Sequence, residues 1–163
     1  MPVGIGYDVH RFAAGRRLVL GGVDFPSEEG LVGHSDADVA THAIMDALLG
    51  AAALGDIGTH FPPTDSRYAG ISSIELLRRV VTLLQARSLR VGNVDLTIIA
   101  ERPRVGPRST DMRRALAEAI GIDLTRVSVK ATTNEGLGFI GRGEGIAAIA
   151  VAELLEVANV IPR

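Results

Sequence analysis

Runs of alternating apolar and polar residues along the chain predict β-strands. Residues 3–10 alternate in this way and predict a first strand, and residues 17–23 predict a second strand after a short turn. Residues 94–100 are rich in β-branched side chains, which favour extended backbone, and residues 127–132 alternate again. Strands are therefore expected in both halves of the chain.

Three segments show the apolar spacing that is typical of amphipathic helices. The first spans residues 38–54, with Ser35 or Asp36 as its N-terminal cap. The second covers residues 72–85 and opens at one of two serines, and the third covers residues 110–120. The apolar positions of the first helix are Val39, Ala43, Met45, Ala47 and Leu48, and those of the second are Ile74, Leu77, Val80, Val81 and Leu84.

The segments between these elements carry the glycines and prolines expected of loops. Residues 26–35 and 56–70 are predicted loops, and residues 136–145 contain five glycines and are predicted to be a loop as well. The tail, residues 146–157, is ambiguous because its alanines favour helix while its apolar density suits a buried strand. A strand is predicted for its first half. The pattern indicates one α+β domain over residues 1–163, with a sheet packed against helices.

Composition narrows the classes of function. The chain has 163 residues, a net charge of −2 and a single lysine, Lys130, so no basic surface for nucleic acid or an anionic membrane is indicated. It contains no cysteine, and a transition-metal site must therefore use histidine and carboxylate ligands. Neither a signal peptide nor a membrane span is apparent, so we expect a soluble, cytoplasmic protein.

Asp8 and His10 are the first candidate metal ligands. Residues two apart on a strand project to the same face, so the carboxylate and the imidazole can share one divalent ion. Catalytic zinc usually takes three protein ligands, and His42 in the first helix is the candidate for the third. Asp46 lies one turn later and could orient the His42 ring, although a surface acid and an interfacial histidine would give the same pattern.

Two further segments carry groups suited to anion binding. His34, Ser35 and Asp36 precede a helix N-terminus, whose free N–H groups attract anions, and capping alone does not explain the histidine. Residues 130–138 place a lysine, two threonines and an acid where a strand ends in glycine, which favours a phosphate cradle but lacks the P-loop pattern. Arg142 is predicted to pair with a nearby glutamate.

Several long motifs in a common order resemble the 2-C-methyl-D-erythritol 2,4-cyclodiphosphate synthases of the non-mevalonate isoprenoid pathway. The resemblance covers nearly the whole chain. The motifs are Asp8-x-His10, the block from His34 to His42, the block from Asp46 to Gly58, Phe61 to Asp65, the strand from Asn93 to Ala100, and the signature from Lys130 to Gly145.

The resemblance implies a phosphorus–oxygen lyase. The substrate would be 4-diphosphocytidyl-2-C-methyl-D-erythritol 2-phosphate, whose 2-phosphate attacks the β-phosphorus to close the cyclic diphosphate and release CMP. One Zn²⁺, or a similar divalent transition metal, would bind each subunit through Asp8, His10 and His42. Mg²⁺ or Mn²⁺ at Glu135 would accompany the substrate diphosphate, and His34 and Thr133 would be the catalytic donors.

The resemblance also implies a homotrimer around a central channel and a substrate site of many residues. Ser35 and Asp56 would hold the erythritol hydroxyls, and residues 100–106 with Thr132 would form the cytidine pocket. Near the channel, Phe139 and Arg142 would meet a phosphate or an isoprenoid diphosphate. The implied substrate-binding residues are Asp8, Val9, His10, His34, Ser35, Asp56, Ile57, Gly58, Phe61, Pro62, Pro63, Thr64, Asp65, Ala100, Glu101, Arg102, Pro103, Arg104, Val105, Gly106, Thr132, Thr133, Asn134, Glu135, Phe139 and Arg142.

Two rival functions fit the same residues. A zinc phosphohydrolase would use the same ligands and phosphate cradle with water as the nucleophile. A non-catalytic trimer that binds isoprenoid diphosphates would use zinc only as a structural link. The residues by themselves indicate a histidine–carboxylate metal site beside a phosphate cradle, and the family resemblance favours the cyclase.

Overall fold

A mixed five-stranded sheet with helices on one face organises the chain. The computed structural model describes residues 1–157, so the last six residues of the predicted domain, 158–163, lie outside the described part. The strands are β1 (Val3–Ala14), β2 (Leu18–Leu20), β3 (Val23–Phe25), β4 (Glu29–Leu31), β5 (Leu89–Ile99), β6 (Val127–Thr132) and β7 (Gly145–Glu156). The helices are α1 (Val39–Ala51), α2 (Ile57–His60), α3 (Ser73–Gln85), α4 (Ser109–Ile120) and α5 (Gly138–Gly141), with 3₁₀ turns at Ser66–Tyr68, Gly106–Arg108 and Leu124–Arg126.

The strand order of the main sheet is β4-β1-β7-β5-β6. The pairs are antiparallel except for β5 with β6, which run parallel because α4 connects them. The strands β2 and β3 form a separate hairpin. The predicted α+β class, with one sheet packed against helices, is confirmed.

Two of the strand predictions differ from the structure. The single strand predicted over residues 17–23 is wrong, because Gly21 and Gly22 adopt positive φ angles and fold the segment into the β2–β3 hairpin. The ambiguous tail is a strand, as predicted for its first half, and it continues to Glu156 in the centre of the sheet.

Small residues let α1 lie unusually close to the sheet. A Cβ on Gly6 of β1 would sit 2.0 Å from the carbonyl oxygen of Ala43, and one on Gly4 would sit 2.1 Å from that of Ala47. The five apolar positions predicted for this helix are all buried. Helix α1 therefore rests almost directly on the backbone of β1, next to the alanines of β7.

The cap of α1 is Asp38, so the prediction of Ser35 or Asp36 is wrong. Its Oδ1 accepts a hydrogen bond from the Thr41 N–H at 3.1 Å, and the two oxygens accept the N–H groups of Gly21 and Gly22 at 2.8 and 2.7 Å. Burial raises the pKa of this carboxyl, and the hydrogen bonds partly offset that effect. Asp38 thereby ties the β2–β3 hairpin to the start of α1.

The opposite face of the sheet is uncovered in the described chain. Val3, Ile5 and Tyr7 of β1 are 63%, 71% and 55% exposed, and Ile149 and Val151 of β7 are 37% and 41% exposed. The predicted loops also contain short elements, namely strand β4 within residues 26–35, α2 within residues 56–70 and α5 within residues 136–145. None of the helices among residues 1–157 is both long and apolar enough to cross a membrane.

Candidate metal centre and substrate cavity

Three side chains converge on one point at the edge of the sheet. The Asp8 Oδ2 atom lies 2.9 Å from the His10 Nε2 atom and 3.0 Å from the His42 Nδ1 atom, and the two nitrogens are 3.2 Å apart. This trio forms the metal-capable cluster found among the described residues. The structure brings together the three ligands that the sequence predicted.

The elements that carry these residues explain their convergence. Asp8 and His10 project from β1 toward the helical layer, on the same face as Gly6. His42 follows Asp38 by one turn of α1, so its ring points back to the strand and is 7% exposed. The close packing of α1 on β1 sets the distance between the donors.

The remaining nitrogen of each ring is held by a protein group. The His10 Nδ1–H donates to the carbonyl oxygen of Val32, which can only accept. The His42 Nε2 atom contacts the hydroxyl oxygens of Ser35 and Ser73 at 3.1 and 3.0 Å. The His10 Nε2 and His42 Nδ1 atoms are thus left directed at the point shared with Asp8.

The donor triangle fits a tetrahedral cation. Ligand atoms about 2.0–2.1 Å from a tetrahedral zinc are separated by roughly 3.3 Å, close to the observed 2.9–3.2 Å edges. Two nitrogen donors and one carboxylate oxygen are also the donor types that zinc accepts in catalytic sites, with a fourth position left open. The residues therefore fit a divalent transition metal.

The charges of the Asp8 and His10 side chains also favour a bound cation. Burial by itself would raise the pKa of Asp8, but the hydrogen bonds and the charges of His10 and His42 outweigh it and hold that pKa well below its usual range. For His10 burial lowers the pKa, and the contacts with Asp8 more than reverse this and raise it. An anionic carboxylate thus faces the two rings, and a metal ion held between them can supply positive charge in place of a proton.

Asp46 makes no hydrogen bond to His42, whose ring nitrogens face Asp8, His10 and two serines, so its predicted orienting role is wrong. Its Oδ1 atom accepts the N–H of Ile57 at 2.8 Å and anchors the start of α2. Burial raises the pKa of Asp46, the hydrogen bond from Ile57 opposes this, and the nearby charge of Asp56 adds to the rise. The carboxylate is half-buried, so it is not a surface acid either.

A cavity of about 210 Å³ opens beside the three donors. It brings together many residues that the sequence analysis assigned to the substrate, together with Tyr68 and Leu76, which it did not assign. The lining residues are Asp8, His10, His34, Ser35, His42, Ile57, Gly58, Phe61, Pro63, Tyr68 and Leu76. The mixture of polar donors and apolar walls suits a small polyol phosphate.

Two acids at the mouth of this region have structural partners. Asp56 caps α2 and accepts hydrogen bonds from the N–H and the hydroxyl of Thr59, both at 2.8 Å, which lower its pKa. Asp65 pairs with Arg67 at 2.6 Å, and its carbonyl oxygen accepts a hydrogen bond from the His34 Nε2 atom at 3.2 Å. His34 is thus held over the cavity by the loop that contains Asp65.

A second cluster follows β6. Glu135 has a positive φ of 51°, and its Oε1 atom accepts the hydroxyl of Thr133 at 2.8 Å. The carboxylate of Glu101 accepts the N–H of Asn134 at 2.9 Å and that of Gly136 at 3.3 Å. Glu101 therefore shapes the backbone of the predicted phosphate cradle, in addition to lying in the predicted cytidine segment.

Two of the three predicted arginines, Arg102 and Arg142, are engaged in ion pairs. Arg102 pairs with Glu29 at 2.6 Å and lies 4.5 Å from the centre of the Phe12 ring. Arg142 pairs with Glu144 at 2.6 Å, which confirms the predicted pair. Phe139 lines a cavity of about 550 Å³ together with Val9, His10, Arg11, Val32, Glu144 and Gly145.

The two clusters lie apart within one chain. Val9 and Thr132 occupy the same register across the sheet, on strands separated by β7 and β5, so their Cα atoms are roughly 14 Å apart at three strand spacings. Thr132 shares the uncovered face with Val9, whereas Asp8 and His10 face the helices. The cradle that follows Thr132 therefore begins three strands away from the metal donors of the same chain.

Comparisons with known proteins find relatives that match almost the whole chain. The family model described as "YgbB family" matches residues 1–155. A curated relative from Symbiobacterium thermophilum, named 2-C-methyl-D-erythritol 2,4-cyclodiphosphate synthase, is 62% identical over 93% of this chain and 97% of its own length. The solved bifunctional IspDF of Campylobacter jejuni is 39% identical with a TM-score of 0.92, covering 95% of this chain and 42% of that one. A solved IspF–CDP complex from Plasmodium falciparum is 33% identical with a TM-score of 0.83, covering 97% of each chain.

Proposed function

The chain belongs to the YgbB family, and from that membership we propose that it is a 2-C-methyl-D-erythritol 2,4-cyclodiphosphate synthase. It converts 4-diphosphocytidyl-2-C-methyl-D-erythritol 2-phosphate to the 2,4-cyclodiphosphate and CMP, as a phosphorus–oxygen lyase of isoprenoid precursor biosynthesis. The convergence of Asp8, His10 and His42 beside the 210 Å³ cavity supports this proposal most directly. The resemblance first seen in the sequence motifs is confirmed by these relatives.

The reaction joins two phosphates of one strongly anionic molecule. An oxygen of the 2-phosphate forms a bond to the β-phosphorus, and the bond from that phosphorus to the oxygen of CMP breaks. Both phosphates repel each other in water, so the protein must fold the substrate and neutralise its charge. The residues around the cavity are suited to these two tasks.

The metal donors hold one end of the substrate. A Zn²⁺ bound by Asp8, His10 and His42 would supply Lewis acidity and a fixed point of attachment for a phosphate oxygen. His34 lines the same cavity, and because its Nε2–H is held by the Asp65 carbonyl oxygen, its Nδ1 can donate to the phosphate charge when the ring is protonated. Ser35 and Asp56 can bind the erythritol hydroxyls, and Phe61 and Leu76 can pack against the methyl-bearing carbon chain.

The cluster after β6 holds the other end. Thr133 would donate to the developing charge, for which its hydroxyl must leave the Glu135 carboxylate that accepts it in the structure. Glu135 is an acid in a loop that otherwise attracts phosphate. Such an acid repels the substrate unless a cation lies between them, and carboxylate oxygen suits Mg²⁺ or Mn²⁺. Residues 100–106 and Thr132 form the cytidine pocket, largely through backbone groups.

A substrate that lacks the 2-phosphate separates this proposal from a zinc phosphohydrolase. The cyclase needs the 2-phosphate as its nucleophile, so 4-diphosphocytidyl-2-C-methyl-D-erythritol should release no CMP while the complete substrate does. A hydrolase uses water and should cleave both compounds. Comparable CMP release from the two substrates, measured by chromatography, would favour the hydrolase.

The uncovered sheet face supports a homotrimer. Val3, Ile5, Tyr7, Ile149 and Val151 form an apolar surface that a lone chain would expose to water. Three copies arranged cyclically can cover it with one repeated contact. The non-catalytic alternative, a trimer that binds isoprenoid diphosphates near Phe139 and Arg142, would use the same assembly. A cytoplasmic location remains part of this proposal.

Each site would be shared by two subunits, because the cradle of a chain begins at Thr132, three strands and roughly 14 Å from Val9, which lies between Asp8 and His10. To test this, inactive His42→Ala and Glu135→Ala chains are unfolded and reassembled in equal amounts. If the site is shared, random mixing in a closed oligomer places an intact metal half next to an intact Glu135 half at roughly one quarter of the sites.

The measurement is the rate of CMP release from the mixture and from each variant reassembled alone. We expect about a quarter of the wild-type rate from the mixture, by the same statistics. Mass spectrometry of the intact assembly shows whether mixed trimers formed. Mixed trimers without recovered activity would place both halves of the site in one chain.

A further inference from the structure

The ring of His42 has a second partner beyond the metal position. Its Nε2 atom lies 3.0 Å from the hydroxyl oxygen of Ser73, the first residue of α3. Ser73 is fully buried, with 0% of its surface exposed. The two residues are separated by 31 positions in sequence and meet because α1 and α3 pack together.

Ser73 is held in turn by a carboxylate. The Ser73 N–H donates to the Asp36 Oδ2 atom at 3.0 Å, and the Ser73 hydroxyl donates to the Asp36 Oδ1 atom. A carboxylate can only accept, so the single hydroxyl proton of Ser73 points at Asp36. The lone pairs of the Ser73 oxygen then face His42, whose Nε2 must carry the proton.

In these hydrogen bonds His42 donates to Ser73, and Ser73 donates to Asp36. With the proton fixed on Nε2, the Nδ1 atom of the neutral ring keeps its lone pair for the shared point with Asp8 and His10. Ser35 also touches His42 Nε2, at 3.1 Å, and its oxygen accepts the N–H of Ala37. The Ser35 hydroxyl oxygen lies 3.4 Å from that of Ser73, so Ser35 can donate to Ser73 and leave the proton on His42 Nε2.

We propose that Ser73 and Asp36 are positioning residues of the metal centre, which orient the His42 ring and select its Nδ1 atom as the ligand. This inference rests on the proposed metal site. Groups that hold the distal nitrogen of a ligating histidine typically change metal affinity by about 10–100-fold when they are replaced. Sequence spacing favoured Asp46 for this role, and the structure gives it to residues from two other segments.

A purely structural role for the same residues makes a different prediction. Asp36 also binds the first N–H of α3, so its loss could weaken the helix start without affecting the metal. In that case the variants would lose stability, while the metal affinity of the folded protein would stay constant. Affinity for the metal alone therefore separates the two roles.

The test is a titration of metal-free protein with Co²⁺ or Zn²⁺ against a competing chelator at fixed pH, with folding checked by circular dichroism. We expect Ser73→Ala and Asp36→Asn each to weaken binding about 10–100-fold. The visible spectrum of bound Co²⁺ should also change, because the ring orientation changes. Because the two residues act in series, the double variant should lose little more than Ser73→Ala alone.

Ser72→Ala is the matched control. Ser72 is exposed, occupies the cap position of the same helix and makes no side-chain capping bond, so its removal should leave the affinity at the wild-type value. If Ser73→Ala does not fold, Asp36→Asn decides the question. Wild-type affinity and spectrum in the folded variants would overturn the inference. Failure of the wild-type chain to bind one equivalent would instead overturn the metal site itself, and the inference with it.

Discussion

Replacing His42 by alanine is expected to remove the tightly bound metal and to lower the rate of CMP release by about 1,000-fold or more. The ring provides one of three donors, and two donors on β1 cannot enclose a tetrahedral ion. A metal of this kind contributes several kcal/mol to transition-state charge stabilisation, and about 4 kcal/mol corresponds to that rate loss.

Elemental analysis and circular dichroism check this prediction together. The metal content should fall from one equivalent per chain to near zero while the secondary structure is kept. His60→Ala is the control, because the His60 Nε2–H donates to the carbonyl oxygen of Leu54 at 2.9 Å and lies outside the donor cluster. That variant should retain its metal, and full metal occupancy in His42→Ala would refute the ligand assignment.

Replacing Gly6 by alanine is expected to lower the free energy of unfolding by about 3 kcal/mol, near the upper end of the cost of forcing an extra methyl into a packed interior. The new Cβ would lie 2.0 Å from the Ala43 carbonyl oxygen and 2.7 Å from the Ala47 nitrogen. These atoms belong to the backbone of α1 and cannot move aside as a flexible side chain would. The strand and the helix must separate, which also disturbs the metal donors that they carry.

Gly50→Ala, in helix α1, is the control, and we expect it to stabilise the protein where Gly6→Ala destabilises it. A Cβ at this position meets no atom within 4 Å, and alanine is the better helix former. The free energy of unfolding should therefore rise by about 0.5–1 kcal/mol. Urea unfolding at one fixed chain concentration measures both variants, because assembly makes stability concentration-dependent. Equal stability of Gly6→Ala and wild type would contradict the close contact of α1 with β1.

Much of the fold could be predicted from the sequence where local spacing controls the structure. The apolar positions of α1 and α3 recur with helical spacing, and the period of β1 places Asp8 and His10 on one face. The long tail was ambiguous because its alanines favour helix. Ala148 and Ala150 are small because α1 lies over β7, and this packing requirement has no local signature.

The cap of α1 shows a second limit of sequence reasoning. Ser35, Asp36 and Asp38 are all good capping residues, so local preference could not choose among them. Tertiary structure decides, because Ala37 adopts a positive φ of 57° and Asp38 also binds the hairpin at Gly21. That hairpin itself was missed although a glycine pair between apolar runs is a recognised turn signal.

The candidate site also contains some contacts that local sequence spacing predicts and others that it does not. The ligand trio was predictable because strand spacing supplied two donors, and the histidine of the first helix, which the family motifs also contain, supplied the third. The contacts between His42 and Ser73 join residues 31 positions apart, and no local pattern indicates them. Helix spacing did predict that Asp46 would lie one turn beyond His42. Its carboxylate, however, accepts a hydrogen bond from the N–H of Ile57 and not from the His42 ring.

The mass of the product formed in water enriched with ¹⁸O tests the central claim most directly. If the chain is a cyclodiphosphate synthase, the 2-phosphate is the nucleophile and no solvent oxygen enters either product. We therefore predict a cyclic diphosphate and CMP at a ratio of one to one, both free of ¹⁸O. A linear phosphate that carries one ¹⁸O atom would show that water is the nucleophile and would contradict the assignment.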